Sequence, residues 1–363
     1  MGIVGAGGRG GGFKSALEAI DRVRIHAICD IDETALSETG AILRPLEEYS
    51  DYGEMLQKSK LDAVLIGTPM PLHFPQSKRA LKEGIHVLSE VPAGVSLEEC
   101  RGLVEACRGS TAKYMMAENY VYLKNNVLMK MLVKEGLLGE LYYGEGEYIH
   151  ELKELNEETP WRRRWQTGVD GVTYPTHSLG PLLEWMEADR VAQISCVGSG
   201  RHYRDSQGRR YEQEDTCTAL ARTEQGRLIR LRLDMLSNRP HAMTNYSLQG
   251  TKGCYESARS PLETDKIWLE EICDEKDGWM ELQELEGDYL PSFWKNPPEA
   301  VQRSGHGGGD YFVLKAFVDS IVDDDPPPIG VHKAMDMSIP GLISQKSINE
   351  GGRWLPVPDS REW

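Results

Sequence analysis

Paired cysteines are missing. The 363-residue chain has seven cysteines, at positions 29, 100, 107, 196, 217, 254 and 273, and none forms a Cys-x-x-Cys pair. An odd, scattered set suggests neither a zinc knuckle nor a disulfide framework and fits a reduced, cytoplasmic protein. Positive charge is also in deficit: 41 Lys and Arg stand against 57 Asp and Glu, a net charge of −16. That balance opposes nucleic-acid binding, which needs a basic face to neutralise phosphates. No apolar run approaches the roughly 20 residues that span a bilayer. The N-terminus carries no basic segment followed by an apolar one, so no signal peptide is expected. Repeats and low-complexity tracts are absent too. With 40% hydrophobic and 27% charged residues, the remainder is an ordinary globular chain of about two domains.

Glycine is abundant, and it is concentrated at the start. Gly5, Gly7 and Gly10 fit G-x-G-x-x-G. Ile3-Val4 leads in as a strand, a helical pattern runs from Phe13 to Ile20, and a β-type run from Val23 to Cys29 ends in Asp30. A dinucleotide site needs each part. Gly5 allows the tight turn, Gly7 lets the backbone approach a pyrophosphate, and Gly10 lets helix and strand pack closely. A helix N-terminus stabilises the phosphate charge. Asp30 would accept from the ribose hydroxyls, which favours NAD over NADP.

Residues 1–120 read as repeated βα units. Strands are expected at Leu61–Gly67, Ile85–Ser89 and Lys113–Ala117, with helices at Pro75–Glu83 and Leu97–Cys107, the latter opened by a Ser96/Glu99 capping box. Such alternation implies a doubly wound parallel sheet whose ligands sit beyond the strand carboxyl ends. The residues there are Thr68-Pro69, Glu90-Val91-Pro92 and Glu118-Asn119-Tyr120. After a helix at 124–135 the texture changes. Strand-like runs follow at Leu141–Ile149, Arg190–Val197, Thr216–Arg222, Leu228–Met235 and Asn245–Gln249. They suggest an α+β domain over 121–363 with a large, mostly antiparallel sheet. Helices at 310–322 and 332–349 flank an acidic, proline-rich bend, Asp323–Pro328, and the C-terminal segment is a candidate to pack back on the first domain.

Together, GIVGAGGRG at 2–10, CDID at 29–32, GTPMPLH at 67–73, ALKEGIHVLSEVP at 80–92, AENY at 117–120 and GELYYGEGEY at 139–148 resemble the glucose–fructose oxidoreductase/inositol dehydrogenase (Gfo/Idh/MocA) superfamily. The resemblance spans nearly the whole chain. It implies a Rossmann domain, an open-faced sheet domain and NAD(P) bound between them. Gly5, Gly7, Gly8, Arg9, Gly10, Asp30, Thr68, Pro69, His73, Glu90 and Asn119 are then the cofactor positions. A small carbohydrate is the implied substrate, and pairing through the open sheet face implies a homo-oligomer, dimer or tetramer.

Two departures are informative. Dehydrogenases of this superfamily usually carry Glu-Lys-Pro, and Val91 stands in place of the proton-handling lysine. Their Asp-x-Gly-x-His-x-x-Asp becomes Thr173-Tyr174-Pro175-Thr176-His177-Ser178-Leu179-Gly180, which keeps only the histidine. This altered pattern resembles the NAD-dependent glycosidases of the α-N-acetylgalactosaminidase type. The match extends to Trp161-Arg162, Tyr174-Pro175-Thr176-His177 and Gly305-His306-Gly307-Gly308. Ser178 and Gly309 differ from that signature, where Gly and Met are usual. The likeness implies net hydrolysis: a sugar hydroxyl at C3 is oxidised, the C2 proton and C1 group are eliminated, water adds, and the ketone is reduced again.

Such chemistry needs bases. His177 is the candidate for the C3 hydroxyl and Tyr174 for C2. They lie three apart and share a face if Pro175 opens a helix. Arg162 is a candidate to hold a substrate oxygen or the cofactor, with Tyr122 and His306 secondary. Trp161 and Trp165 raise the prospect of sugar stacking. Plainer readings stand beside these: a structural His177, a packing Tyr174, a loop His306 and a solvated Arg162–Arg164 turn. His150-Glu151 with Glu154 and Glu157-Glu158 matches no usual ligand spacing, so no metal is expected. Two other functions stay open, an NAD-dependent sugar or polyol dehydrogenase and a non-catalytic NAD-binding sensor.

Overall fold

A computed structural model describes residues 1–187, 189–273 and 278–363. The chain divides into two compact units. The first comprises 1–123, 297–335 and 360–363, and the second 124–296 and 336–359.

The first unit is built on six parallel strands, β1 (Gly2–Val4), β2 (Ala27–Cys29), β3 (Glu47–Tyr49), β4 (Ala63–Ile66), β5 (His86–Ser89) and β6 (Tyr114–Met116). Their order is β3-β2-β1-β4-β5-β6, the expected doubly wound arrangement. The order reverses between β1 and β4, so the ligand crevice lies beyond the ends of these two strands. The central strands are buried throughout, as strands covered by helices on both faces must be. The run expected from Val23 is extended only at Ala27–Cys29. β3, with its half-exposed Glu-Glu-Tyr, has too few apolar residues to announce itself. Helix Glu33–Leu43 starts where Asp32 accepts from the backbone N–H groups of Thr34 and Ala35. Helix Leu97–Arg108 starts at Ser96, which accepts from Glu99 N–H, while the Glu99 carboxylate reaches past it to Val95 N–H.

The second unit carries a nine-stranded sheet. Its strands are β7 (Leu141–Ile149), β8 (Val191–Gly198), β9 (Thr216–Thr223), β10 (Leu228–Asp234), β11 (Met243–Gly250), β12 (Gly253–Glu256), β13 (Lys266–Leu269), β14 (Met280–Glu281) and β15 (Leu355–Pro356). The order is β14-β13-β12-β11-β7-β10-β9-β8-β15, antiparallel except for the β7–β10 pair. The four short strands β12–β15 have no sequence signature and were not expected. On β7 the alternation of side chains decides the packing. Gly144 and Gly146 face helix Thr176–Trp185, and a Cβ on Gly146 would lie 2.0 Å from Ser178 O. The helix therefore sits directly on the strand's backbone. On the opposite face Glu145 and Glu147 bind Arg230 of β10. That face continues into the exposed Val197, Leu220 and Trp354.

Candidate active site

In the first unit the backbone does most of the shaping. Gly5 has φ +76°, and a Cβ there would lie 2.7 Å from Thr68 N. A Cβ on Gly10 would lie 2.1 Å from Gly5 O, and one on Gly67 would lie 2.6 Å from Gly10 Cα. Three glycines thus press the β1 and β4 turns together. Gly7 is small for a reason the motif does not give: its Cβ would meet Ala35 Cβ at 2.8 Å. Gly8, at φ +53°, has nothing within 4 Å of an added Cβ, so the open approach to the loop lies there. The helical turn that follows is Gly8–Gly12, ahead of Lys14–Ala19, rather than one helix beginning at Phe13. The Asp30 carboxylate accepts from Gly7 N–H at 2.9 Å and from Asp32 N–H at 3.0 Å. It is part-exposed, with acceptor capacity left for a diol.

Beside the loop lies a cluster of charged groups. Arg9 grips Asp310 with two nitrogens, at 2.6 and 2.7 Å, and its Nε is 2.7 Å from Glu90. Asp310 also accepts from Asn119 Nδ2 at 2.7 Å and lies 3.1 Å from His306 Nδ1. Burial alone would raise the Asp310 pKa. The hydrogen bonds and charges of Arg9 and His306 outweigh it and hold the carboxyl well below the usual range. His306 is held in the left-handed region, at φ +52°, with its ring 6.0 Å from Tyr120. Tyr122 closes the short turn Asn119–Tyr122.

Thr68 Oγ1 donates to Gln76, and Pro69 leads into the turn at Met70–Leu72. His73 is buried, with Nδ1 2.9 Å from Pro92 O and Nε2 2.8 Å from Thr68 O. Burial lowers its pKa, while the two carbonyls and Glu90 pull the other way. Both ring nitrogens are engaged by main chain, so His73 ties the turn after β4 to the turn after β5.

These residues fit NAD. A glycine cradle opens at Gly8, a carboxylate ends β2, and Asn119 Oδ1 is buried with no hydrogen-bond partner among the described residues. A donor such as a ribose hydroxyl or an amide would satisfy it.

In the second unit the site is made of rings. Helix Thr176–Trp185 begins just after Pro175, and the three-residue spacing sets the Tyr174 and His177 rings edge to face, 5.2 Å apart. The preceding loop is anchored by Val172 N–H donating to Ser344. Tyr148, two residues beyond Gly146 on the same face of β7, packs with its ring tilted at 5.4 Å from Tyr174 and 5.5 Å from His177. Tyr246 of β11 donates to His177 O at 2.5 Å. Arg162, in helix Pro160–Trp165, donates to Gln166 at 3.0 Å. One face of each tryptophan expected for sugar stacking is taken by a guanidinium, Trp161 by Arg162 and Trp165 by Arg164. Reading the sequence did not single out Tyr148, His241 or Asp310, and it weighed His150 only as a metal ligand. The alternation Gly144-x-Gly146-x-Tyr148-x-His150 is the signal for Tyr148 and His150. His241 has no such signal. Among the described residues no His, Cys, Asp or Glu cluster is arranged to hold a metal, and no helix is long and apolar enough to cross a membrane.

Fold and site together define an NAD-binding enzyme of the Gfo/Idh/MocA oxidoreductase class. Residues 1–118 match the oxidoreductase family with an NAD-binding Rossmann fold, and residues 122–362 match the glycosyl hydrolase 109 C-terminal domain. A glycosyl hydrolase family 109 protein of Streptomyces filamentosus is 33% identical over 99% of this chain and 76% of its own. Another, from Shewanella pealeana, is 30% identical over 99% of this chain and 84% of its own. A levoglucosan dehydrogenase solved with NADH and L-sorbose shares the fold, with a TM-score of 0.84 at 16% identity over 99% of both chains. The chain belongs to glycosyl hydrolase family 109, and it is an NAD-dependent carbohydrate-processing enzyme.

Proposed function

We propose that the protein cleaves a glycoside with no net redox change. The reading is carried by the Tyr148–Tyr174–His177 ring cluster in a chain whose cofactor domain has Val91 where a proton-carrying lysine would serve a dehydrogenase. Bound NAD supplies the hydride acceptor and, later in the same turnover, the donor. His177 accepts the C3 hydroxyl proton as the ketone forms. Tyr174 accepts the acidified C2 proton, and the C1 group leaves. Water adds its hydroxyl at C1 and gives its other proton to the departed group, Tyr174 exchanges its proton with solvent and returns one to C2, and His177 returns one to the C3 oxygen. Arg162 holds a substrate oxygen; its Nε is buried with no hydrogen-bond partner among the described residues. Tyr122 and His306 have secondary roles.

The domain of residues 1–120 holds NAD through Gly5, Gly7, Gly8, Arg9, Gly10, Asp30, Thr68, Pro69, His73, Glu90 and Asn119, and residues 121–363 bind the sugar. His73 acts by fixing the turns, through the backbone contacts described above. The protein works in the cytoplasm as a dimer or tetramer. Val197, Leu220 and Trp354 on the open sheet face support that pairing.

A panel of aryl glycosides, with N-acetylgalactosaminides included, tests the reading on NAD-loaded protein without added cofactor. Aryl release over many turnovers with no accumulating NADH is expected. Stoichiometric NADH from free sugars would instead identify a dehydrogenase. NAD binding with no sugar converted would identify a sensor.

A further inference from the structure

Tyr148 near the end of β7 and His150 just past it lie side by side, and a second histidine backs them. Tyr148 Oη and His150 Nδ1 are 2.9 Å apart, and the rings meet edge to face at 5.7 Å. His241, just before β11, stands edge to face with His150 at 5.0 Å. The groups whose charges reach His150 are His241, Arg162, His177 and Glu151. Burial, then the electrostatic influence of His241, Arg162 and His177, push its pKa down to about 4 against the weaker pull of Glu151. At neutral pH the imidazole is therefore neutral and has one nitrogen able to accept. The rings of Tyr174 and His177 pack on Tyr148 itself, so whatever His150 does to this phenol is done inside the ring cluster.

We propose that His150 is a positioning residue for the reaction: its Nδ1 accepts the phenolic hydrogen of Tyr148, which aims the lone pairs of Tyr148 Oη at the substrate and lets the pair carry a substrate proton. The proposal rests on the glycosidase reading above. When a sugar hydroxyl other than the one at C3, whose proton goes to His177, passes its proton to Oη, the phenolic proton passes to Nδ1. The sugar oxygen keeps its electron pair, the imidazole becomes imidazolium, and Tyr148 stays a neutral phenol. Both transfers reverse when the hydroxyl is restored, so no proton is consumed. His241 and Arg162 make the imidazolium costly, which returns the proton promptly.

The test uses full-length, NAD-loaded protein with tyrosine labelled at Cζ, and Tyr148→Phe assigns the Tyr148 resonance. His150→Phe removes the acceptor. His150→Gln keeps an acceptor oxygen that cannot take a proton, and it preserves the fold if the Phe variant does not. The Tyr148 resonance is expected to move in both variants, less in His150→Gln. Both variants should lose on the order of 100-fold in kcat with KM within about threefold. The acid limb of the wild-type kcat profile should vanish in His150→Gln. A Tyr148 resonance indifferent to both substitutions, or wild-type kcat and pH profile in His150→Gln, overturns the proposal. If no glycoside is cleaved by the wild type, the glycosidase reading falls, and the resonance still decides whether His150 and Tyr148 are coupled.

Discussion

The two units shape their candidate sites by different physical means. In the first, glycines remove side chains so that main chain can close on main chain, with Gly5, Gly10 and Gly67 all within van der Waals range of backbone. In the second, glycines do the same on β7, but what they admit is a helix, and the helix delivers rings. Tyr148 from β7 and the neighbouring Tyr174 and His177 hold one another edge to face or tilted. The first site is a mould, intolerant of an added methyl at Gly5, Gly10 or Gly67. The second should depend most on its rings, each proposed above as both a wall and a chemical group.

The largest effect should come from the rings. His177→Ala is expected to lower kcat by roughly 1,000-fold, within the range for loss of a positioned base, with NAD content unchanged on extraction. Activity near wild type would remove His177 from the chemistry. The matching change in the mould is Gly10→Ala. Its Cβ would lie 2.1 Å from Gly5 O, so the turn must open, with a cost of about 1–3 kcal/mol. NAD should be lost on purification. Asp30→Ala should weaken NAD binding without that loss of stability, and unchanged affinity would show that the carboxylate does not face the ribose.

Asp310→Asn comes next, with an expected destabilisation of about 1.5–3 kcal/mol from the weakened Arg9 grip. The pH dependence has a definite sign. The folded pKa lies below the unfolded value of about 3.9, so the stabilisation is complete above about pH 5 and is lost as pH falls below that. Urea melts across the acid range should show this slope in the wild type and a shallower one in the Asn variant. Gly8→Ala should be the mildest for the fold. It adds a methyl into open space at positive φ, costing about 1 kcal/mol. If the cofactor lies over Gly8, NAD affinity should drop more than stability does, and equal drops would place the cofactor elsewhere.

The contrast also explains what could be read from the chain. The first site was legible because its requirement is local. G-x-G-x-x-G, a strand and a terminal acid fall within the first thirty residues, and the observed strand order matches the doubly wound expectation. Even so, Ala35 also requires a small residue at Gly7, a contact that the motif does not announce. Arg9 meets Asp310 across 301 positions, a pairing no local pattern announces. In the second unit, the Tyr174–His177 pair was legible because the two lie three residues apart at a helix start. Tyr148 was not, because its role depends on which face of β7 the helix covers. Gly144 and Gly146 decide that through packing rather than composition. The short strands β12–β15 are fixed by their neighbours in the sheet, with two to four residues each.

The most direct measurement follows glycoside cleavage by proton NMR in deuterated buffer, using protein with its own NAD and none added. Cleavage with deuterium entering at C2 and no accumulating NADH is the expected result, because removal and return of the C2 proton is inseparable from elimination. Cleavage with the C2 proton fully retained would contradict the mechanism.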